Sequence, residues 1–221
     1  MAEVPARGWS SSSRAEMADV VLLRHGATKL TPQKRFSGVG AGDPGLSAAG
    51  FDQARRAASS PLLRKGTFVG VLCSPMKRCR ETAELIAAEL DLPLRIEAEW
   101  REMDFGMWEG MTFDEVQDRY PDDLRAWKES PEAAPTGSTE TFAGVLERMG
   151  TLAQVLSTRY ADRSVLAVTH VTPIKALVAH ALGAPPQSLF RMELSAACFS
   201  RIAYSGQEAS LKLLNDTSHL Y

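Results

Sequence analysis

Cysteine is scarce in this 221-residue chain: the three present, Cys73, Cys79 and Cys198, are odd in number and lack the paired spacing of a zinc site. Neither a disulfide framework nor a structural zinc is expected, and a reducing, cytoplasmic setting fits best. No apolar run approaches bilayer length, and the N-terminal stretch lacks the apolar core of a signal peptide, so neither membrane insertion nor secretion is expected. A dominant sign of charge is missing too. The formal net charge is −2 with both signs interspersed, which gives no general field for nucleic acid or an anionic membrane and makes any anion site local. No internal repeat is found. The expected partner is a small molecule, with no nucleic acid and no membrane, and with a homodimer left open.

What is present suffices for one core. With 44% apolar residues, the chain is long enough for a sizeable domain and too short for two ordinary domains with a linker. Residues 1–17 contain Pro5, Gly8 and the run Ser10 to Ser13, with little to bury, and read as a disordered leader or linker remnant. Residues 18–221 are expected to form a single domain, with a cap-like helical segment at about 112–137.

The run Val20 to Leu23 reads as a buried strand ending at Arg24, which places His25 just past its carboxyl end. The loop from Ala27 to Leu46 is rich in Gly, Pro and Ser and long for a mere connection; Ser47 can cap the helix that follows, which carries Phe51, Ala54 and Ala58 on one face. A second strand, Phe68 to Cys73, runs into Ser74-Pro75, read as a serine N-cap with proline at the first helical position. Met76, Cys79, Ala83, Ile86, Ala87 and Leu90 define that helix's buried side, with Arg78 near its edge in the first turn. Leu92 to Ala98 alternates as a third strand. An irregular loop from Trp100 to Gly110 carries Glu102. Short helices are expected over Thr112 to Tyr120 and Pro121 to Glu129, and a longer one from Ser138 or Thr139. Ser164 to Thr169 is the next strand, ending at His170 before Pro173 opens a helix to Leu182. Ala197 to Tyr204 and Ala209 to Leu213 close the chain as strands joined around Gly206. Strands alternating with helices predict an α/β fold: a three-layer α/β/α sandwich with a largely parallel central sheet, its ligand beyond the carboxyl ends of the strands.

Three strand ends thus deliver Arg24-His25, Arg78 and His170 to one edge. The arginines offer planar, permanently charged forks for phosphate oxygens, and the helix N-termini after Ser74 and His170 add oriented donors. A neutral imidazole there can attack phosphorus and a protonated one can stabilise equatorial oxygens. Glu102, near Trp100, Phe105 and Trp108, can be raised in pKa by desolvation and protonate a leaving alkoxide. Glu109 is the reserve acid. His180 and His219 are assigned no role, Trp100, Trp108 and Trp127 are read as packing, and Lys175 and Arg191 as solvated.

Leu22-Leu23-Arg24-His25-Gly26-Ala27-Thr28, Ser74-Pro75-Met76-Lys77-Arg78 through Thr82-Ala83, Arg101-Glu102-Met103-Asp104-Phe105-Gly106 with Trp108-Glu109-Gly110, and Thr169-His170 appear in an order that resembles the histidine phosphatase superfamily, which also contains the cofactor-dependent phosphoglycerate mutases. The match covers about residues 19 to 204. The resemblance implies a phosphoglycerate mutase-like fold and a phosphomonoester hydrolase of the histidine acid phosphatase type, with His25 as nucleophile and Arg24, Arg78 and His170 as phosphate clamp. It implies Glu102 as proton donor and then base, and neither metal nor cofactor. Thr31, Ser37, Gly38 and Val171 are the further substrate-binding candidates. The glycine-and-tryptophan form of the acid loop is closer to phosphatases than mutases. Arg35-Phe36-Ser37-Gly38 and Thr169 to Lys175 are most similar to α-ribazole phosphatases and to the acid phosphatase half of actinobacterial ribonuclease H fusions, so the implied substrate is a small nucleotide-like or sugar phosphate such as α-ribazole phosphate. Many members carry asparagine where Thr31 stands and paired glycines where Val171-Thr172 and Ser138-Thr139-Glu140 stand. The alternatives are a mutase-type phosphotransferase and a phosphate-binding module without turnover.

Overall fold

Alternation along strand β1 (Ala18–Arg24) sends its side chains to two separate cores: Val20 and Leu22 enter one apolar cluster, Val21 and Leu23 the other. The computed structural model describes residues 17–40 and 42–221, so the expected leader lies, but for Met17, outside the described residues. The sheet has six strands in the order β3-β2-β4-β1-β5-β6, with β2 Phe68–Cys73, β3 Leu94–Ile96, β4 Ser164–Thr169, β5 Phe199–Ser205 and β6 Glu208–Asp216. β3, β2, β4 and β1 run parallel, while β5 and β6 add an antiparallel hairpin at one edge.

Helices cover both faces. α1 (Ala48–Ala58) and α2 (Lys77–Leu90) pack on the side of Val21 and Leu23, while α5 (Phe142–Arg159) and α6 (Val171–Leu182) pack on the side of Val20 and Leu22. The short helices α3 (Phe113–Arg119) and α4 (Pro121–Glu129) add Val116, Leu124 and Trp127 to that second core. Thr112 and Glu115 close a reciprocal capping box on α3, which stabilises such a short helix by about 1 kcal/mol. No helix among the described residues is long and apolar enough to cross a membrane.

Several boundaries differ from the sequence expectation. Ser74 does not cap α2: the chain stays extended through Met76 (ψ 139°), because the Ser74 hydroxyl lies 2.7 Å from His170 Nε2, and the helix starts two residues later. Arg78 is fully buried rather than at an edge. α5 starts at Phe142, behind an N-cap at Thr141, because Ser138 to Glu140 form a turn in which Ser138 Oγ accepts from Glu140 N at 3.0 Å. α6 starts at Val171, ahead of Pro173, whose missing N–H falls where a first-turn donor has no helical acceptor.

β1 and β4 are neighbours in parallel register, with Arg24 beside Thr169, yet the chain leaves β1 toward the α1 face and β4 toward the α6 face. Divergent connections from adjacent parallel strands open a crevice at their carboxyl ends. His25 and His170 flank it, with ring centroids 5.2 Å apart.

Candidate active site

The backbone after β1 is held by contacts that only glycine permits. A Cβ on Gly26 would stand 2.5 Å from the carbonyl oxygen of Gly50 in α1, so the His25 loop lies directly against that helix. Gly26 N donates to Thr82 Oγ1 on α2 at 3.2 Å, and Ala27 N to Gln53 Oε1 at 2.8 Å. His25 is thus fixed by two helices and one strand before any ligand arrives.

The tautomer of His25 follows from its partner. Nδ1 lies 2.7 Å from the carbonyl oxygen of Gly26, which can only accept, so Nδ1 carries the proton and Nε2 the lone pair. Burial pushes the His25 pKa well below the usual histidine range, and the charges of Arg78 and Arg24 push it the same way, against the Gly26 hydrogen bond. The ring is neutral near pH 7.

Arg78 is immobilised on every side. Nε donates to His25 Nε2 at 3.3 Å, one terminal nitrogen to Asp43 at 3.3 Å, and the other to the carbonyls of Ser37 (2.9 Å) and Gly38 (3.2 Å). Asp43 also accepts from Lys77 N at 2.8 Å, tying the guanidinium to the start of α2. Arg24 donates to Leu194 O at 2.6 Å, and its buried Nε has no partner among the described residues. His170, the N-cap of α6, is wholly buried, and desolvation, followed by the Arg78 charge, lowers its pKa well below the ordinary value. Its Nε2 also lies 3.3 Å from Cys79 Sγ.

Glu102 is 4% exposed, and burial raises its pKa against opposing hydrogen bonds from Met103 N (2.8 Å) and Thr172 N (3.3 Å). Its loop is clamped from both flanks. Glu140 accepts from Arg101 at 3.1 Å, from Arg148 at 2.9 Å and from Asp104 N at 2.8 Å, and Arg148 donates to the carbonyls of Glu99 (2.5 Å) and Arg101 (3.0 Å). Glu109, the reserve acid, acts here as a brace: its carboxylate accepts from the N–H groups of Gly38 (2.9 Å) and Gly40 (3.2 Å), which pins the 27–46 loop.

A cavity of about 260 Å³ opens over this cluster, lined by Arg24, His25, Thr31, Ser37, Glu102 and Val171 among others. Arg78 and His170, both fully buried, are not among its lining residues. Gly38 is not among the lining residues; its N–H is held by Glu109 and its carbonyl by Arg78. At the start of α2, Met76 N is likewise taken by Ser74 and Lys77 N by Asp43. Lys175, read as solvated, is half-buried in the wall and donates to Leu189 O at 2.8 Å. Trp100 and Trp108 are packing residues, while Trp127 packs and also faces the cavity. No cluster of three or more His, Cys, Asp or Glu side chains suited to a metal ion occurs among the described residues.

Four contributors escaped the sequence reading: Asp43, Ser74 in its contact with His170, and the Glu140–Arg148 pair. The only sequence signal for any of them was charge or hydroxyl beside an already chosen motif.

Fold and site together define an α/β protein with a histidine-centred, cationic pocket at a sheet crevice. The model of the histidine phosphatase superfamily (branch 1) matches residues 20–217, and the chain belongs to that superfamily. It is 37% identical over 214 residues to the bifunctional protein Rv2228c of Mycobacterium tuberculosis, which covers 96% of this chain and 57% of that protein, so the chain spans little more than half that relative's length. To phosphoserine phosphatase 1 of Hydrogenobacter thermophilus it is 31% identical over 204 residues, 92% of this chain and 95% of that protein. The crystal structure of the α-ribazole phosphatase from Shigella flexneri superposes with a TM-score of 0.76 at 28% identity, over 90% of this chain and 96% of that one.

Proposed function

We propose that the chain is a phosphomonoester hydrolase working through a phosphohistidine on His25. The observation that carries this reading is the protonation pattern: a neutral imidazole, its Nδ1–H held by Gly26, lines a cavity also lined by a carboxyl group biased toward its protonated form. His25 Nε2 attacks phosphorus, the P–O bond to the alcohol breaks, and the departing alkoxide takes the Glu102 proton. The Glu102 carboxylate then accepts a proton from water, whose oxygen attacks phosphorus; the P–N bond breaks and inorganic phosphate leaves. Arg24 and Arg78 act twice, binding the dianion and keeping the free imidazole neutral. A bound dianion opposes their charge and favours protonation of His170, which then donates to a phosphate oxygen. Thr31, Ser37 and Val171 border the substrate's path, and the substrate class is a small nucleotide-like or sugar phosphate, with α-ribazole phosphate the compound to try.

The test is turnover of an aryl phosphate and of α-ribazole phosphate in the presence of chelator, with acid-labile phosphoenzyme trapped by quenching. His25→Ala is expected to lose the adduct and at least about 10⁴-fold in rate. Adduct without hydrolysis, discharged by a bisphosphate-dependent transfer, identifies a mutase; neither adduct nor turnover leaves a phosphate-binding module.

A further inference from the structure

Phosphoryl transfer occupies the floor of the cavity, and the walls above it are aromatic. They come from five separate segments: Phe36 from the 27–46 loop, Phe105 from the Glu102 loop, Trp127 from α4, Phe142 from the first residue of α5, and Phe190 from the turn Pro186–Arg191. Phe36 and Phe105 lie 4.9 Å apart between ring centroids, Trp127 and Phe142 4.4 Å, and Trp127 and Phe190 5.1 Å. Phe190 is 43% exposed although it stands on this wall, an apolar face left open to solvent beside the reaction centre.

The charges of the lining are one-sided. Arg24, Lys34, Arg35 and Lys175 are cationic, and Glu102 is the sole carboxylate among the described lining residues. Arg35 is paired with Glu115 at 2.7 Å, whereas Lys34 and Lys175 have no carboxylate within salt-bridge distance among the described residues. At about 260 Å³ the space encloses a phosphate and one ring system. It is smaller than the roughly 300–1,000 Å³ of sites for larger ligands.

Resting on the phosphatase reading, we propose that the alcohol released by this enzyme carries a flat aromatic ring, neutral or anionic, seated against Phe36, Phe105, Trp127, Phe142 and Phe190. Phosphates of amino alcohols are poor substrates, because their ammonium group meets lysine and arginine with no free carboxylate to receive it. Ring stacking on aromatic side chains supplies the binding, and the lysines set the sign of what else the ring bears.

The test compares 2-phenylethyl phosphate with propyl phosphate, whose leaving alkoxides have similar basicity, and with phosphoethanolamine, which bears an ammonium and no carboxylate. Wild type is expected to prefer the phenylethyl ester in kcat/KM by about tenfold or more and to turn over phosphoethanolamine least. Phe190→Ala is expected to collapse the phenylethyl-to-propyl ratio several-fold, and Phe190→Tyr to restore it, with circular dichroism confirming that both variants are folded. Equal kcat/KM for the two alkyl esters, or phosphoethanolamine above both, overturns this inference and leaves the phosphatase reading standing. Absence of turnover and of phosphoenzyme with every ester overturns the phosphatase reading and this one with it.

Discussion

The floor and the wall of the cavity are built by opposite means. The floor sits on the ends of adjacent parallel strands, where Arg24 pairs in register with Thr169, and nearly all of its polar atoms are bonded to the protein already. The wall is assembled from loops, a short helix, a helix start and a 3-10 turn, bonded to one another mainly through ring contacts. Rigid strand ends suit chemistry that tolerates little displacement, and side chains on loops can change without disturbing it. Rate should therefore reside in the floor and substrate choice in the wall.

Breaking the floor should cost every substrate. Short of removing His25, the largest loss is expected from Glu102→Gln: about 10²- to 10⁴-fold for alkyl phosphates and far less for a nitrophenyl ester that departs without a proton. The same variant tests the pH profile. For wild type, kcat/KM should rise with pH as His25, whose pKa is lowered, loses its proton, and fall as Glu102, whose pKa is raised, loses its own. Glu102→Gln should abolish the alkaline fall and keep the acid rise; an unchanged alkaline limb assigns the acid elsewhere.

A smaller effect is expected from Glu140→Ala, which removes the clamp on both flanks of Glu102 without touching the cavity. Activity should drop about tenfold and the alkaline limb should move, because the carboxyl group is less firmly held in its dry setting. Stability should fall by about 1–3 kcal/mol as Asp104 N loses its acceptor and Arg101 and Arg148 lose their carboxylate partner, measurable by urea titration. Full activity with lowered stability would confine Glu140 to folding.

The last effect leaves catalysis aside and concerns pH and stability in the floor alone. His25 and His170 have folded pKa values below the unfolded value of about 6.5, so below that pH the unfolded chain binds more protons than the folded one. Stability should then decline with falling pH by about 1.4 kcal/mol per unit for each histidine still neutral in the fold. His170→Asn should flatten that slope. Phe190→Ala, a change to the wall, should leave it alone.

The same division decided what could be read from the sequence. The floor was legible because its residues follow apolar strands directly: a run such as Val165 to Val168 announces a buried strand, and His170 inherits its place from that run. The sandwich and its parallel sheet followed for the same reason. The wall was not legible, because Phe36, Trp127 and Phe190 are far apart in sequence and each obeys ordinary packing preferences; only the tertiary fold brings them to one cavity. Arg78 shows the intermediate case. Its place in the first turn was read correctly, but its burial depended on Asp43 and the carbonyls of Ser37 and Gly38, which no helical period could reveal. Ser74 fits a capping pattern by composition, and a histidine 96 positions away claims its hydroxyl instead.

In the proposed mechanism, the hydrogen bond from Arg78 Nε to His25 Nε2 would keep the nucleophile's lone pair engaged at rest. An electrophile without negative charge has nothing to offer the guanidinium in exchange, whereas the oxygens of a phosphate dianion would compete for Arg78 and free the nitrogen. On that mechanism reactivity would be conditional on the charge of the visitor, a safety catch released by the substrate itself.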